Sequence, residues 1–210
     1  VRRWVLALTL LAAAVPARAD VTAWLRDAAL PRLGVGVEAG MAMPTDPFDF
    51  STGWDDSRGC GAFVRCALTP TVDVLLRAER DRFAFDAGGF RDAWISATAV
   101  TGTDATMDVL MLGLRAHQAR GVLRGHATLY AGIVRRTGRR ASVTYDPPYY
   151  TTPYTVPWGE PDATNRAFGF GVGATWAIPR LPDPTAEARV IWLVEGPEAL
   201  VPLRVGVTLP

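Results

Sequence analysis

Between Phe168 and Ile178 the chain alternates without a break. Phe168, Phe170, Val172, Ala174, Trp176 and Ile178 are apolar, and Gly169, Gly171, Gly173, Thr175 and Ala177 between them are small. A strand points successive side chains to opposite faces, so this stretch predicts a strand with one greasy face and one nearly bare one. A soluble half-buried strand carries polar residues on its second face. The bare face here suits the crowded inside of a narrow closed sheet, with the apolar face turned outward, as in a strand that crosses a membrane.

The same pattern recurs along the chain. Leu33 to Met43 places Leu33, Val35, Val37, Ala39, Met41 and Met43 outward and Glu38 inward. Gly59 to Leu68 places Cys60, Ala62, Val64, Cys66 and Leu68 outward, with Phe63 and Arg65 inward. After the turn at Thr69-Pro70-Thr71, Val72, Val74, Leu76 and Ala78 face out against Asp73, Leu75, Arg77 and Glu79; the charged continuation, Arg80 to Phe85, is expected to project beyond the apolar zone. Met107 to His117 sets Leu110, Leu112, Leu114 and Ala116 against inward Arg115 and His117, and Leu123 to Arg135 carries Arg124, His126, Thr128 and Tyr130 inward. The seventh strand has Ala188, Val190, Trp192 and Val194 outward and Glu187, Arg189, Ile191, Leu193 and Glu195 inward. The last has Val201, Leu203, Val205, Val207 and Leu209 outward and Arg204, Gly206 and Thr208 inward.

Eight strands of about ten residues suit tilted passage through hydrocarbon. The connections alternate long and short, which puts the long ones on one side of the sheet. The prediction is an all-β fold: an eight-stranded antiparallel up-and-down transmembrane β-barrel over residues 33–210. Trp94 to Val100, inside a long connection, is a candidate extra strand. Such a narrow barrel is filled by side chains. Its inward charges, Glu38, Arg65, Asp73, Arg77, Glu79, Arg115, Arg124, Glu187, Arg189, Glu195 and Arg204, have both signs and are expected to pair. Glu38 and Arg204, on the first and last strands, are expected to bridge the closing seam.

Composition adds the compartment. Residues 1–19 begin with Arg2 and Arg3, run apolar from Trp4 to Val15 and end in Ala17-Arg18-Ala19, the layout of a secretory signal peptide cleaved before Asp20. The apolar run falls short of the roughly 20 residues a spanning helix needs. Residues 20–32 then form an N-terminal periplasmic segment, in which Asp20 to Leu30 is either a short helix or an unstructured leader. Removing the three arginines of the leader from the 22 basic residues, all arginine, leaves 19 against 21 acids. Near-neutral charge gives no reason to expect nucleic acid as a partner. Cys60 and Cys66, six apart in one predicted strand, lie roughly 20 Å from each other, too far for a disulfide. They are read as small outward residues. No metal site and no cofactor motif stands out.

On the strands Leu33–Met43, Gly59–Ala78, Met107–Arg135 and the last three, the chain resembles the small OmpA/OmpX-type outer-membrane barrels. The resemblance implies outer-membrane residence in a Gram-negative-type bacterium and lipid as the surrounding partner. Such barrels usually end in an aromatic residue; this chain ends Val207-Thr208-Leu209-Pro210.

For function, the leading expectation is a non-enzymatic, monomeric surface barrel with a structural or envelope role, or one that touches an extracellular partner through its loops. The contact candidates are Tyr145, Tyr149, Tyr150, Tyr154 and Trp158, because Tyr and Trp offer rigid amphipathic area; packing within the loop or seating at the lipid interface is the competing reading of the same aromatics. A lipid-modifying enzyme would need a histidine beside a nucleophile or acid near the outer leaflet, whereas His117 and His126 fall near the periplasmic end. A soluble periplasmic lipid-binding barrel would need the reverse polarity of the two faces.

Overall fold

The structure is a computed structural model and describes residues 33–46, 53–93, 97–145, 152–159, 162–178, 181–195 and 199–209. The expected leader 1–19 and segment 20–32 lie outside the described residues. The elements in chain order are β1 (Leu33–Asp46), β2 (Arg58–Thr69), β3 (Val72–Phe83), α1 (Ala87–Ala93), β4 (Ala97–Gly102), β5 (Ala105–His117), β6 (Leu123–Thr137), β7 (Arg140–Tyr145), β8 (Tyr154–Gly159), β9 (Ala163–Trp176), β10 (Asp183–Leu193) and β11 (Ala199–Leu209). Eight of these strands close a barrel in the order β1-β11-β10-β9-β6-β5-β3-β2, every neighbouring pair antiparallel. The seam is β1 against β11, from Val35 opposite Leu209 to Asp46 opposite Ala199.

Period-two alternation decides which residue faces where. Val37 is 60% exposed and Val205 64%, whereas Leu75 and Val134 are fully buried. The exposed set is an apolar outer wall and the buried set fills the bore. Cys60 and Cys66 stand unbonded on that wall. Among the described residues no helix is long and apolar enough to cross a membrane.

The bare face of β9 has a packing cause. A Cβ built on Gly171 would lie 2.5 Å from Glu187 Oε1 and 2.8 Å from Arg189 Cγ; one on Gly173 would lie 2.6 Å from His126 Nε2. Large inward side chains of the adjacent strands occupy the space that side chains on β9 would need.

The connections β2–β3, β5–β6 and β9–β10 are short and share one end, the short-turn end. The other end carries additional structure. The candidate strand at Trp94–Val100 overlaps β4 from Ala97 on, its first three residues lying outside the described residues, and β4 does not enter the barrel. It pairs with β7, and β7 with β8, in a separate three-stranded sheet. A barrel with β4 inserted would have nine strands and would reverse the direction of each later strand; pairing with β7 leaves the eight-strand count intact. Gly138, with φ of 78°, lets the chain turn from β6 into β7.

Candidate functional site

The bore holds three levels. At the short-turn end, Asp73 on β3 faces His117 on β5, with Nε2 3.4 Å from Oδ1. His117 and His126 are register partners on β5 and β6. Neither histidine hydrogen-bonds a serine, threonine or cysteine among the described residues.

The middle level is an ion-pair network. β3 and β10 lie four strands apart either way round the barrel, so they face each other across its full width. Inward positions on β3 are Arg77, Glu79 and Asp81; those on β10 include Glu187 and Arg189. The long side chains meet in reciprocal pairs. Arg77 Nη2 donates to Glu187 Oε2 at 2.8 Å, and Arg189 returns the contact to both oxygens of Glu79. Glu38 on β1 sits between the two arginines, 3.5 Å from Arg77 and 3.3 Å from Arg189. Arg115 on β5 reaches Glu187 at 3.3 Å, and the Tyr130 hydroxyl donates to Glu187 Oε1 at 2.6 Å. Arg77 also lies between two rings, 5.2 Å from the Phe63 centroid and 5.3 Å from that of Tyr130, a cation–π sandwich. Four guanidiniums (Arg77, Arg115, Arg189, Arg204) meet four carboxylates (Glu38, Glu79, Asp81, Glu187), so the network is neutral. All eight are buried.

Arg204 corrects the expected seam bridge. It does not pair with Glu38 but donates to Glu79 at 3.2 Å and to both oxygens of Asp81 at 2.6 Å. The register explains it: Glu38 sits opposite Gly206, and Arg204 opposite Gly40, two residues further toward the long-loop end. Asp81 is a member that the sequence reading missed. It belongs to the charged run Arg80 to Phe85, yet its place two residues after Glu79 makes it inward. Asp81 Oδ1 also accepts the Ser57 hydroxyl at 3.0 Å, and Ser57 Oγ accepts the Ala42 amide at 2.8 Å, tying the β1–β2 connection to the network.

Three further expected members lie elsewhere. Glu195 is exposed in the bend after β10 and pairs with exposed Arg166 at 3.1 Å, because β10 ends at Leu193 and the alternation stops with it. Arg65 and Arg124 are half-buried near the short-turn end, where Arg124 Nε donates to Gly121 O at 3.1 Å.

The third level, at the long-loop end, is mainly apolar, with buried Arg136 donating to Asn165 Oδ1 at 3.3 Å at its edge. Phe83, Met107, Val134, Ile191, Leu193 and Leu200 fill the bore above the charges. This core continues into a cap. Trp54 is buried against Phe85, Phe90 of α1 and Trp158 of β8, with centroid separations of 5.4, 6.4 and 5.9 Å. Its indole N–H donates to Thr103 O at 3.0 Å, and the Arg139 guanidinium lies 5.8 Å from its ring. The aromatic contact candidates therefore divide. Trp158 belongs to the cap core, while Tyr145 and Tyr154 stack on each other at 5.3 Å across β7 and β8, with Tyr154 exposed. Tyr149 and Tyr150 lie outside the described residues.

Among the described residues no group of His, Cys, Asp and Glu is arranged to hold a metal ion. Chemically, the bore is a plug: charges that neutralise each other, capped by packed rings.

No family model matches the chain, and no curated protein matches it in sequence. Solved structures do match. Neisserial surface protein A superposes with a TM-score of 0.52 at 12% identity, covering 84% of this chain and 96% of that one. OprG of Pseudomonas aeruginosa gives 0.47 at 10% identity, covering 84% and 95%. Ail of Yersinia pestis gives 0.45 at 11% identity, covering 84% and 96%. At these identities the likeness is one of fold, and that fold is the small eight-stranded outer-membrane barrel.

Proposed function

Starting from that fold, we propose that the chain is a non-enzymatic, monomeric outer-membrane barrel that holds a folded cap outside the membrane, where the cap serves envelope structure or contact with an extracellular partner. The observation that carries the reading is the neutral network sealed between β3 and β10. It closes the middle of the bore, and among the described residues neither histidine hydrogen-bonds a serine, threonine or cysteine. The apolar wall seats the barrel in lipid, with its long-loop end and cap facing out and the Leu33 and Leu209 strand ends and short turns on the periplasmic side. The cap is the surface offered to the outside, with exposed Tyr154 and Val156 on β8. A lipid-modifying enzyme is the weaker reading, since both histidines lie at the end away from the cap. A soluble lipid carrier is weaker still, since the bore is charged and the wall apolar.

The test is gel migration of an outer-membrane fraction, boiled and unboiled, followed by protease treatment of intact cells. A heat-dependent shift, with cleavage confined to the cap, supports the reading. A protein that does not shift and fractionates with soluble periplasmic proteins overturns it. Lipid deacylation or acyl transfer by the purified barrel would overturn its non-enzymatic part.

A further inference from the structure

The outer wall changes character abruptly toward the long-loop end. The outward row Ala78–Leu110–Ile133, on β3, β5 and β6, is apolar. Two residues further along, the next outward row is Arg80–Asp108–Arg135, roughly 7 Å away along the strands. On the neighbouring strands Arg82 of β3 stands directly opposite Arg58 of β2, a like-charge cross-strand pair that costs stability unless an anion joins it. On β9, Arg166 stands opposite Ile133, at the end of the apolar row.

Part of this charge is answered within the protein. Asp108 binds Arg80 at 2.6 Å, Asp104 binds Arg82 at 2.7 Å and Glu195 binds Arg166 at 3.1 Å. Such exposed pairs are weak and exchange partners readily. Arg58 and Arg135 have no ion pair among the described residues, so the five arginines exceed their three acid partners by two. Asp55 and Asp56 are exposed in the connection before Arg58, at the level of Ala84 rather than of the arginine rows.

A second feature adjoins the same arginines. A groove of about 530 Å³ runs down the wall across β1, β10 and β11, lined by Met41, Ala186, Ala188, Leu203 and Val205, with Arg58 at its long-loop edge. Small residues on β10 form it: Ala188 stands opposite Leu203, which stands opposite Met41.

We propose that this face is a docking surface for a phosphorylated lipid of the outer leaflet: the guanidiniums of Arg58 and Arg82 take a headgroup phosphate and the groove takes an acyl chain. Guanidinium forks match phosphate oxygens in geometry as well as charge, and the position at the edge of the apolar zone is where a headgroup lies. The proposal rests on the membrane reading above, and the experiment separates the two.

The protein is refolded in neutral-detergent micelles doped with lipid A, which carries two phosphates, or with zwitterionic phosphatidylcholine. Folding is scored by heat-modifiable migration, and retained lipid by native mass spectrometry. Failure to fold in micelles counts against the membrane reading; lipid retention by the folded protein tests the docking surface. The expected result is preferential retention of lipid A, reduced roughly tenfold in R58Q/R82Q and unchanged in R124Q at the short-turn end. Raising NaCl from about 50 to about 500 mM also releases lipid A from the unaltered protein, a readout that needs no variant. Equal retention of the two lipids, or lipid A retention indifferent to both salt and R58Q/R82Q, overturns the proposal.

Discussion

The middle of the bore and its outer end solve the same problem with opposite chemistry. Both must fill a narrow cylinder. Around Arg77 and Arg189 the filling is charged and directional; around Trp54 and Phe83 it is apolar and shape-matched. A buried ion-pair network gives little net stability over an apolar filling, because desolvation offsets the attraction, yet losing one member leaves its partners stranded. An aromatic core gains from each buried ring and loses in proportion to the ring removed. The first region therefore punishes a single error severely, whereas the second degrades locally.

The sharpest way to break this comparison is Arg189→Ala. It leaves the buried network one positive charge short, with Glu38 held by Arg77 alone and Glu79 chiefly by Arg204. The expected loss is about 3–5 kcal/mol, read by urea unfolding in micelles and by loss of the heat-modifiable band. A loss below about 1 kcal/mol would mean that water or a neighbouring arginine compensates, and that the network is looser than its geometry.

Trp54→Ala tests the other region. It removes the ring between Phe90 and Trp158 and the bond to Thr103 O. A loss of about 3 kcal/mol is expected, but confined to the cap. Protease should enter near α1 and β8 while the barrel keeps its heat-dependent migration. Simultaneous loss of both would show that cap and barrel form one cooperative unit.

The two regions also differed in how far the sequence revealed them. Alternation maps directly onto in and out, so Arg77, Arg189 and Arg204 were readable as inward from their parity alone. The same rule placed Asp81, but only if the count is carried past Arg80 instead of treating Arg80 to Phe85 as one charged block. Who pairs with whom was not readable. An arginine crosses the whole bore, so the partner of Arg77 is Glu187 on the opposite wall, and sequence position gives height without reach. In the cap, the alternation of Trp94–Val100 marks a strand candidate that overlaps β4. Its partner, Arg140–Tyr145, is a short strand next to the proline- and tyrosine-rich stretch 146–157, where alternation is lost among loop-type residues. Trp54 gave no periodic signal, because a residue between strands has no parity.

Gly171→Ala bears on the tightness of the charged level. The added methyl meets Glu187, Arg189 and Tyr130 together. Overpacking of this kind costs about 1–3 kcal/mol, by the same urea titration. The equivalent change at Gly125, where a Cβ would meet nothing nearer than the far end of Gln118 at 4.0 Å, should be close to silent. If both were silent, the bore would be more compliant than the cap.

The smallest effect lies where the two regions are joined to the connection above β5. Asp104 accepts the Phe85 amide at 3.0 Å and Arg82 Nη2 at 2.7 Å. The Phe85 amide first, and the guanidinium second, hold its carboxyl below the usual aspartate value. A lowered folded-state value means that its contribution is fully present above about pH 4, the ordinary aspartate range, and is lost as pH falls through the folded value. Asp104→Asn should therefore make the cap slightly more protease-sensitive at pH 7, by less than about twofold given the exposure of the pair. As pH drops below about 4, the unaltered protein should lose its advantage and the two cleavage rates should converge. A difference that persists undiminished at about pH 3 would place the effect in the shape of the side chain rather than its charge. It would then make the junction, like the cap, a matter of packing.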